Sequence, residues 1–184
     1  MSRAANEDRL LRALATALVE RPRASLKELA EAAGVSKATL HRFCGTREQL
    51  MLMLEQHGCE VMEQVLADAD LSQAEPLAAL RRLITGHLRH RELLVFLMFQ
   101  YRPDSLEPGP EGNAWTPYGD ALDAFFLRSQ QLGALRIDIP AQVLTELFVS
   151  LIYGMVDAER RGRAASLQSA AVLERFFLEG AGRG

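Results

Sequence analysis

Residues Ser25–Leu50 read SLKELAEAAGVSKATLHRFCGTREQL, and this stretch decides the fold. It spells a helix, a tight turn, a second helix and the start of a third. Ser25 followed by Glu28 has capping-box spacing: the hydroxyl covers an orphan N–H and the carboxylate reaches back to the cap. Leu26, Leu29, Ala30 and Ala33 then form one apolar face. Ala30 is small enough for another helix to cross closely. Gly34 stands where a helix end takes a left-handed residue without a Cβ. Ser36 is the next N-cap and opens Lys37–Phe43. Thr46 with Gln49 repeats the capping-box spacing. Two helices joined at a steep angle by a short Gly-containing turn describe a helix-turn-helix, whose second helix enters the DNA major groove.

Charge is distributed in keeping with that motif. The 184 residues carry a formal net charge of −3, which argues against a generally basic coat. Residues 1–50 hold nine Lys/Arg and six Asp/Glu, so this end is positive while the remainder is negative. Phosphate binding needs positive charge at the helix-turn-helix. With 48% hydrophobic and 24% charged residues, the chain can bury a core. Cys44 and Cys59 lack the paired spacing of a disulfide framework or a zinc site, so buried neutral thiols are expected. The longest apolar run, Leu93–Phe99, falls short of the roughly 20 residues that cross a bilayer. No signal peptide is read, and the expected location is the cytoplasm.

Outside the motif the periodicity is helical throughout. Met1–Asn6 reads as a loose arm. Leu10, Leu11, Leu14, Leu18 and Val19 give a helix over 7–20, ended by Pro22. From Thr46, Leu50, Leu54, His57, Val61 and Val65 predict one long helix to Asp68 that belongs to both halves of the chain. Pro76 suits a first helical turn, followed by the face Leu77, Leu80, Ile84, His87 and Leu88. Leu93–Phe99 is apolar on every side, as in a helix surrounded by others. Arg102–Gly112, with its prolines, glycines and acids, reads as a surface loop. Trp115, Tyr118, Leu122, Phe125 and Phe126 resume helical spacing, closed by Gly133. Pro140 opens a helix to Arg161 with a broad stripe from Val143 to Val156, and the last helix spans 165–179. The fold class is all-α with about nine helices. The domains are a DNA-binding part at 1–50 and a second helical part at 51–184.

The run GVSKATLHRFCGTREQL resembles the N-terminal signature of the TetR family of transcriptional regulators. Gly34, Val35, Ser36, Thr39, Leu40, Phe43, Gly45, Thr46, Glu48 and Leu50 match the pattern. His41 stands where the family usually has Tyr, Cys44 where it usually has Phe, and Arg47 where Lys is common. The resemblance implies a three-helix DNA-binding domain, a helical ligand-binding and dimerisation domain, and a homodimer acting on double-stranded operator DNA. From the residue spacings and the short apolar runs, no cofactor, metal or membrane is expected. The departures at His41 and Cys44 leave a second reading open, an all-α small-molecule-binding or adaptor protein that has lost operator binding. An enzyme would need a nucleophile elbow, a phosphate loop or paired carboxylates, and none is found.

Site expectations follow. On the recognition helix, Lys37, Thr39 and Arg42 are candidates for base edges: Lys or Arg pairs with guanine and a Thr methyl with thymine. Ser25, Ser36, His41, Thr46 and Arg47 are candidates for phosphate contact and register. The resemblance implies an effector cavity in the second half, where Trp115 and all three tyrosines lie. Small-molecule sites are mostly apolar with a few polar anchors. The residues expected there are His87, Phe96, Gln100, Tyr101, Trp115, Tyr118, Phe148 and Ile152. The resemblance further implies that the last two helices of each subunit form a four-helix dimer interface, assigned to Leu144, Leu151, Met155, Ala170, Leu173 and Phe177.

Overall fold

The computed structural model describes residues 3–100 and 115–182. Nine helices make up the described residues: α1 (Arg3–Glu20), α2 (Leu26–Ala32), α3 (Lys37–Cys44), α4 (Arg47–Ala69), α5 (Pro76–Arg89), α6 (Arg91–Gln100), α7 (Thr116–Gln131), α8 (Ala141–Arg160) and α9 (Ser166–Ala181). The first helix begins at Arg3, so the loose arm read for residues 1–6 is wrong from there on. Apolar Ala4 and Ala5 have high helix propensity and extend it. The loop expected at Arg102–Gly112 falls outside the described residues. The chain forms two compact units. One holds α1 to α3, α4 through Glu60, and α6 from Glu92. The other holds α4 from Val61, α5, and α7 to α9.

In the first unit, local chemistry sets the helix corner. The Ser25 hydroxyl accepts the Glu28 N–H while Glu28 returns to the Ser25 N–H, completing the capping box. At the other end of α2, Val35 N–H donates to Ala30 O at 2.9 Å and Gly34 N–H to Glu31 O at 3.2 Å. That pair of bonds is a Schellman motif, and it requires the left-handed φ of 70° that Gly34 adopts. Ser36 caps α3 by accepting the Thr39 N–H. After α3 the chain reverses through a γ-turn at Gly45, with φ 69° and ψ −68°. There Thr46 N–H donates to Cys44 O at 2.7 Å. Leu14, Leu29, Leu40, Leu50 and Leu54 are almost fully buried. Each contributes about 1.5–3 kcal/mol relative to an exposed side chain. Leu93–Leu97 of α6 are all buried, as expected of a run apolar on every side.

In the second unit, α7 packs along α8, and α5 and α8 both pack on α9. Phe126, Phe148 and Phe177 form a mutual cluster with ring centroids 5.6–5.8 Å apart. The turn between α4 and α5 is closed by arginines. Arg82 donates to Ala69 O, and Arg128 donates to Leu71 O and Gln73 O. The α8 helix is long and apolar enough to cross a membrane by length and composition alone. Its apolar residues nevertheless divide into two stripes. Leu144, Phe148, Ile152 and Val156 are buried in the unit, while Val143 and Leu147 are 44% and 48% exposed.

Candidate nucleic-acid interface and aromatic cluster

The exposed face of α3 is basic and uncovered. Lys37, Ala38, His41 and Arg42 line a shallow surface groove. No ion pair among the described residues involves Lys37, His41 or Arg42, whereas Arg12, Arg81, Arg91, Arg136, Arg160 and Arg161 all meet carboxylates. No acidic residue occupies the first turn of α3, and His41 and Arg42 lie in its last. Leu40 and Cys44 point inward and are buried. Cys44 donates its thiol to Leu40 O at 3.3 Å, and burial pushes that thiol's pKa up. The position that departs from the family aromatic is thus a small core residue.

The neighbouring helix ends differ from this. Ser25 gives both its N–H and its hydroxyl to Glu28 Oε2, each at 2.7 Å. Those two bonds hold the Glu28 carboxyl below its usual range. The N-terminus of α2 therefore carries the Glu28 carboxylate, and Ser25 forms the cap read from the sequence. Ser36 pairs with the Thr39 hydroxyl at 2.8 Å as well as capping the Thr39 N–H at 3.0 Å. The Thr39 methyl remains its contact group toward a base. Thr46 accepts the Gln49 N–H at 3.1 Å. Arg47 donates Nη2 to Pro22 O at 2.6 Å, which ties α4 to the turn after α1. Part of that guanidinium is thereby committed within the chain.

The aromatic cluster in the second unit brings together four of the residues expected at an effector site. His87, 1% exposed, places Nδ1 2.7 Å from Leu83 O and Nε2 2.6 Å from Tyr118 Oη. Its ring meets Phe148 edge-on at 5.6 Å, and Trp115 meets Tyr118 edge-on at 5.9 Å. Burial lowers the His87 pKa to about 4 and pushes the Tyr118 phenol up. Ile152 is buried in the same unit. Phe96 is buried in the other unit. Tyr101 and the side chain of Gln100 lie outside the described residues.

The interface residues divide less favourably. Leu144, Leu173 and Phe177 are at most 4% exposed, buried in their own unit, so they are corrected from interface to core. Leu151, Met155 and Ala170 keep intermediate exposure. Open apolar positions on α8 and α9 include Val143, Leu147, Val172 and Phe176, the last 64% exposed. Reading the i, i+4 rows of α8 and α9 separately, instead of as one broad stripe, would have found them.

Comparison with known proteins agrees with this geometry. The IclR helix-turn-helix domain profile matches residues 8–58. The HTH-type transcriptional regulator NfxB of Pseudomonas aeruginosa is 66% identical over 181 residues, covering 98% of this chain and 97% of NfxB. Among solved structures, the TetR-like regulator LfrR from Mycobacterium smegmatis in complex with proflavine superposes with a TM-score of 0.75 at 23% identity, covering 97% of each chain. The ketosteroid transcriptional regulator KstR2 of Mycobacterium tuberculosis superposes with a TM-score of 0.77 at 15% identity, covering 100% of this chain and 98% of that one.

Proposed function

The chain belongs to the TetR-like helix-turn-helix transcriptional regulators, and on that premise we propose that it is a ligand-released repressor acting as a cytoplasmic homodimer. The observation that carries the reading is the face of α3. Lys37, His41 and Arg42 stand exposed with no carboxylate partner among the described residues, beside a helix N-terminus free of acidic residues. A surface of that kind gains its counter-charge from phosphates and base edges. Lys37, Thr39 and Arg42 read bases, His41 and Thr46 hold the backbone, and residues 1–50 form the DNA-binding part. The adaptor alternative has less support: Cys44 fills a core position and His41 remains on the open face.

One recognition helix reads few base pairs, so two are required, related by a two-fold axis. The open apolar positions Val143, Leu147, Val172 and Phe176 on α8 and α9 support pairing through these helices. Effector binding in the second unit favours a state whose recognition helices are wrongly spaced, so effector and operator oppose each other by linkage. LfrR was solved with proflavine, which supports an aromatic effector. The relatives are transcriptional regulators, which supports a binding role without catalysis. A mobility-shift assay on DNA upstream of the chain's own gene tests the proposal. Wild type is expected to shift a palindrome-like fragment, and Arg42→Ala to weaken it by about 1–3 kcal/mol. Equal shifting by wild type and variant would refute it.

A further inference from the structure

The hydrogen-bond directions around His87 fix what the aromatic cluster can offer a guest. Leu83 O can only accept, so the proton of the neutral imidazole is on Nδ1. Nε2 then carries a lone pair, and Tyr118 Oη, 2.6 Å away, must donate to it. The phenol has one proton, and it points at His87. Toward anything else its oxygen presents lone pairs only. Tyr118 and Trp115 both keep intermediate exposure, and Trp115 stands edge-on to Tyr118 as an aromatic wall beside the phenol. Among the described residues, His90 acts on His87 and Tyr153 on Tyr118, with no Lys, Arg, Asp or Glu contributing.

We propose that the Tyr118 hydroxyl, oriented by His87, is the specificity-determining acceptor of the effector site, which takes a flat aromatic ligand bearing a neutral O–H or N–H donor and rejects carboxylates. This rests on the reading of the second unit as effector-binding. A carboxylate has no proton to give Tyr118 Oη. To receive one, it would have to turn the phenol away and leave His87 Nε2 buried without a partner, a costly exchange. His87 acts through Tyr118, so it is a positioning residue.

The test uses three probes on one ring system: 2-naphthol, naphthalene and 2-naphthoate. Binding to the full-length chain is measured by calorimetry, with the fluorescence of Trp115, the only tryptophan, as a second readout. 2-Naphthol is expected to bind about tenfold tighter than naphthalene and at least as far above 2-naphthoate, the worth of one satisfied hydrogen bond. Tyr118→Phe should erase the preference for 2-naphthol over naphthalene while leaving naphthalene binding in place. 2-Naphthoate binding as tightly as 2-naphthol would overturn the proposal, as would a naphthol preference that survives in Tyr118→Phe. Should the variant fail to fold, the ranking of the three probes on wild type decides alone. If no probe binds or shifts the melting temperature, the effector-binding reading itself falls, a result distinct from binding without preference.

Discussion

The two candidate sites hold their polar groups in opposite states. On α3, Lys37, His41 and Arg42 are exposed and meet no carboxylate among the described residues. Around His87, both ring nitrogens are buried and both are engaged, one by a carbonyl and one by a phenol. The first arrangement leaves its electrostatic needs to be met by a partner outside the chain. The second meets them inside and offers a guest only a lone pair and ring edges. The difference gives the sites different sensitivities. The DNA face should respond to salt and to loss of single charges, with little change in folding. The aromatic cluster should respond to cavities and to acid, with large changes in folding.

The largest separation is expected from Phe148→Ala. Phe148 is 1% exposed and meets His87, Phe126 and Phe177. Its truncation should cost about 3–5 kcal/mol, read by urea denaturation. Phe176→Ala, at an exposed position, should barely change the stability of a protomer but should weaken self-association in sedimentation. Equal folding effects at the two positions would erase the distinction drawn between the inner row of α8 and the outer row of α9.

Acid should destabilise the buried aromatic cluster through His87. The His87 pKa is lowered from 6.5 to about 4 in the folded chain. Below pH 6.5 the unfolded chain takes up a proton that the folded chain refuses. The stability from the neutral pair is therefore complete above pH 6.5 and is lost as pH falls toward 4. The loss over that window is about 3 kcal/mol. Denaturation midpoints at pH 7 and pH 5 should show the decline, and His87→Gln should flatten it. An unchanged slope in that variant would contradict the buried neutral pair.

A smaller effect is expected at the corner that presents α3. Gly45 sits at φ 69° and ψ −68° with open space around it, so a methyl group meets no atom but does meet an unfavourable backbone conformation. Gly45→Ala should cost about 1–3 kcal/mol, read as a fall in Tm together with weaker operator binding. A variant as stable as wild type would show that the turn is not held as described.

The same contrast explains what the sequence made legible. The helix corner is written locally. Ser25 with Glu28, Gly34, and Ser36 lie within a dozen residues, and each device acts on its own neighbours, so the caps and the Schellman turn could be read in order. The aromatic cluster is written across distance. His87 and Tyr118 are 31 residues apart in sequence, and only packing makes one the acceptor for the other. Periodicity placed His87 on the apolar face of α5 but could not show which polar group would meet it. Leu144, Leu173 and Phe177 were misread because a broad apolar stripe conceals two rows, one packed inward and one left open. The start of α1 was missed because Arg3 to Asn6 carries no apolar periodicity, although Ala4 and Ala5 favour helix.

The most direct test of the central claim is the salt dependence of operator affinity, by fluorescence anisotropy, for wild type and the Lys37→Ala, Arg42→Ala double variant. Each phosphate neutralised contributes about 0.9 to the slope of log affinity against log salt. The expected result is a complex weaker by about 1–3 kcal/mol for each base-reading side chain lost, with relaxed sequence preference, a slope changed by less than one unit and an unchanged melting temperature. The same slope and affinity in both proteins would show that the exposed face of α3 is not what meets the DNA.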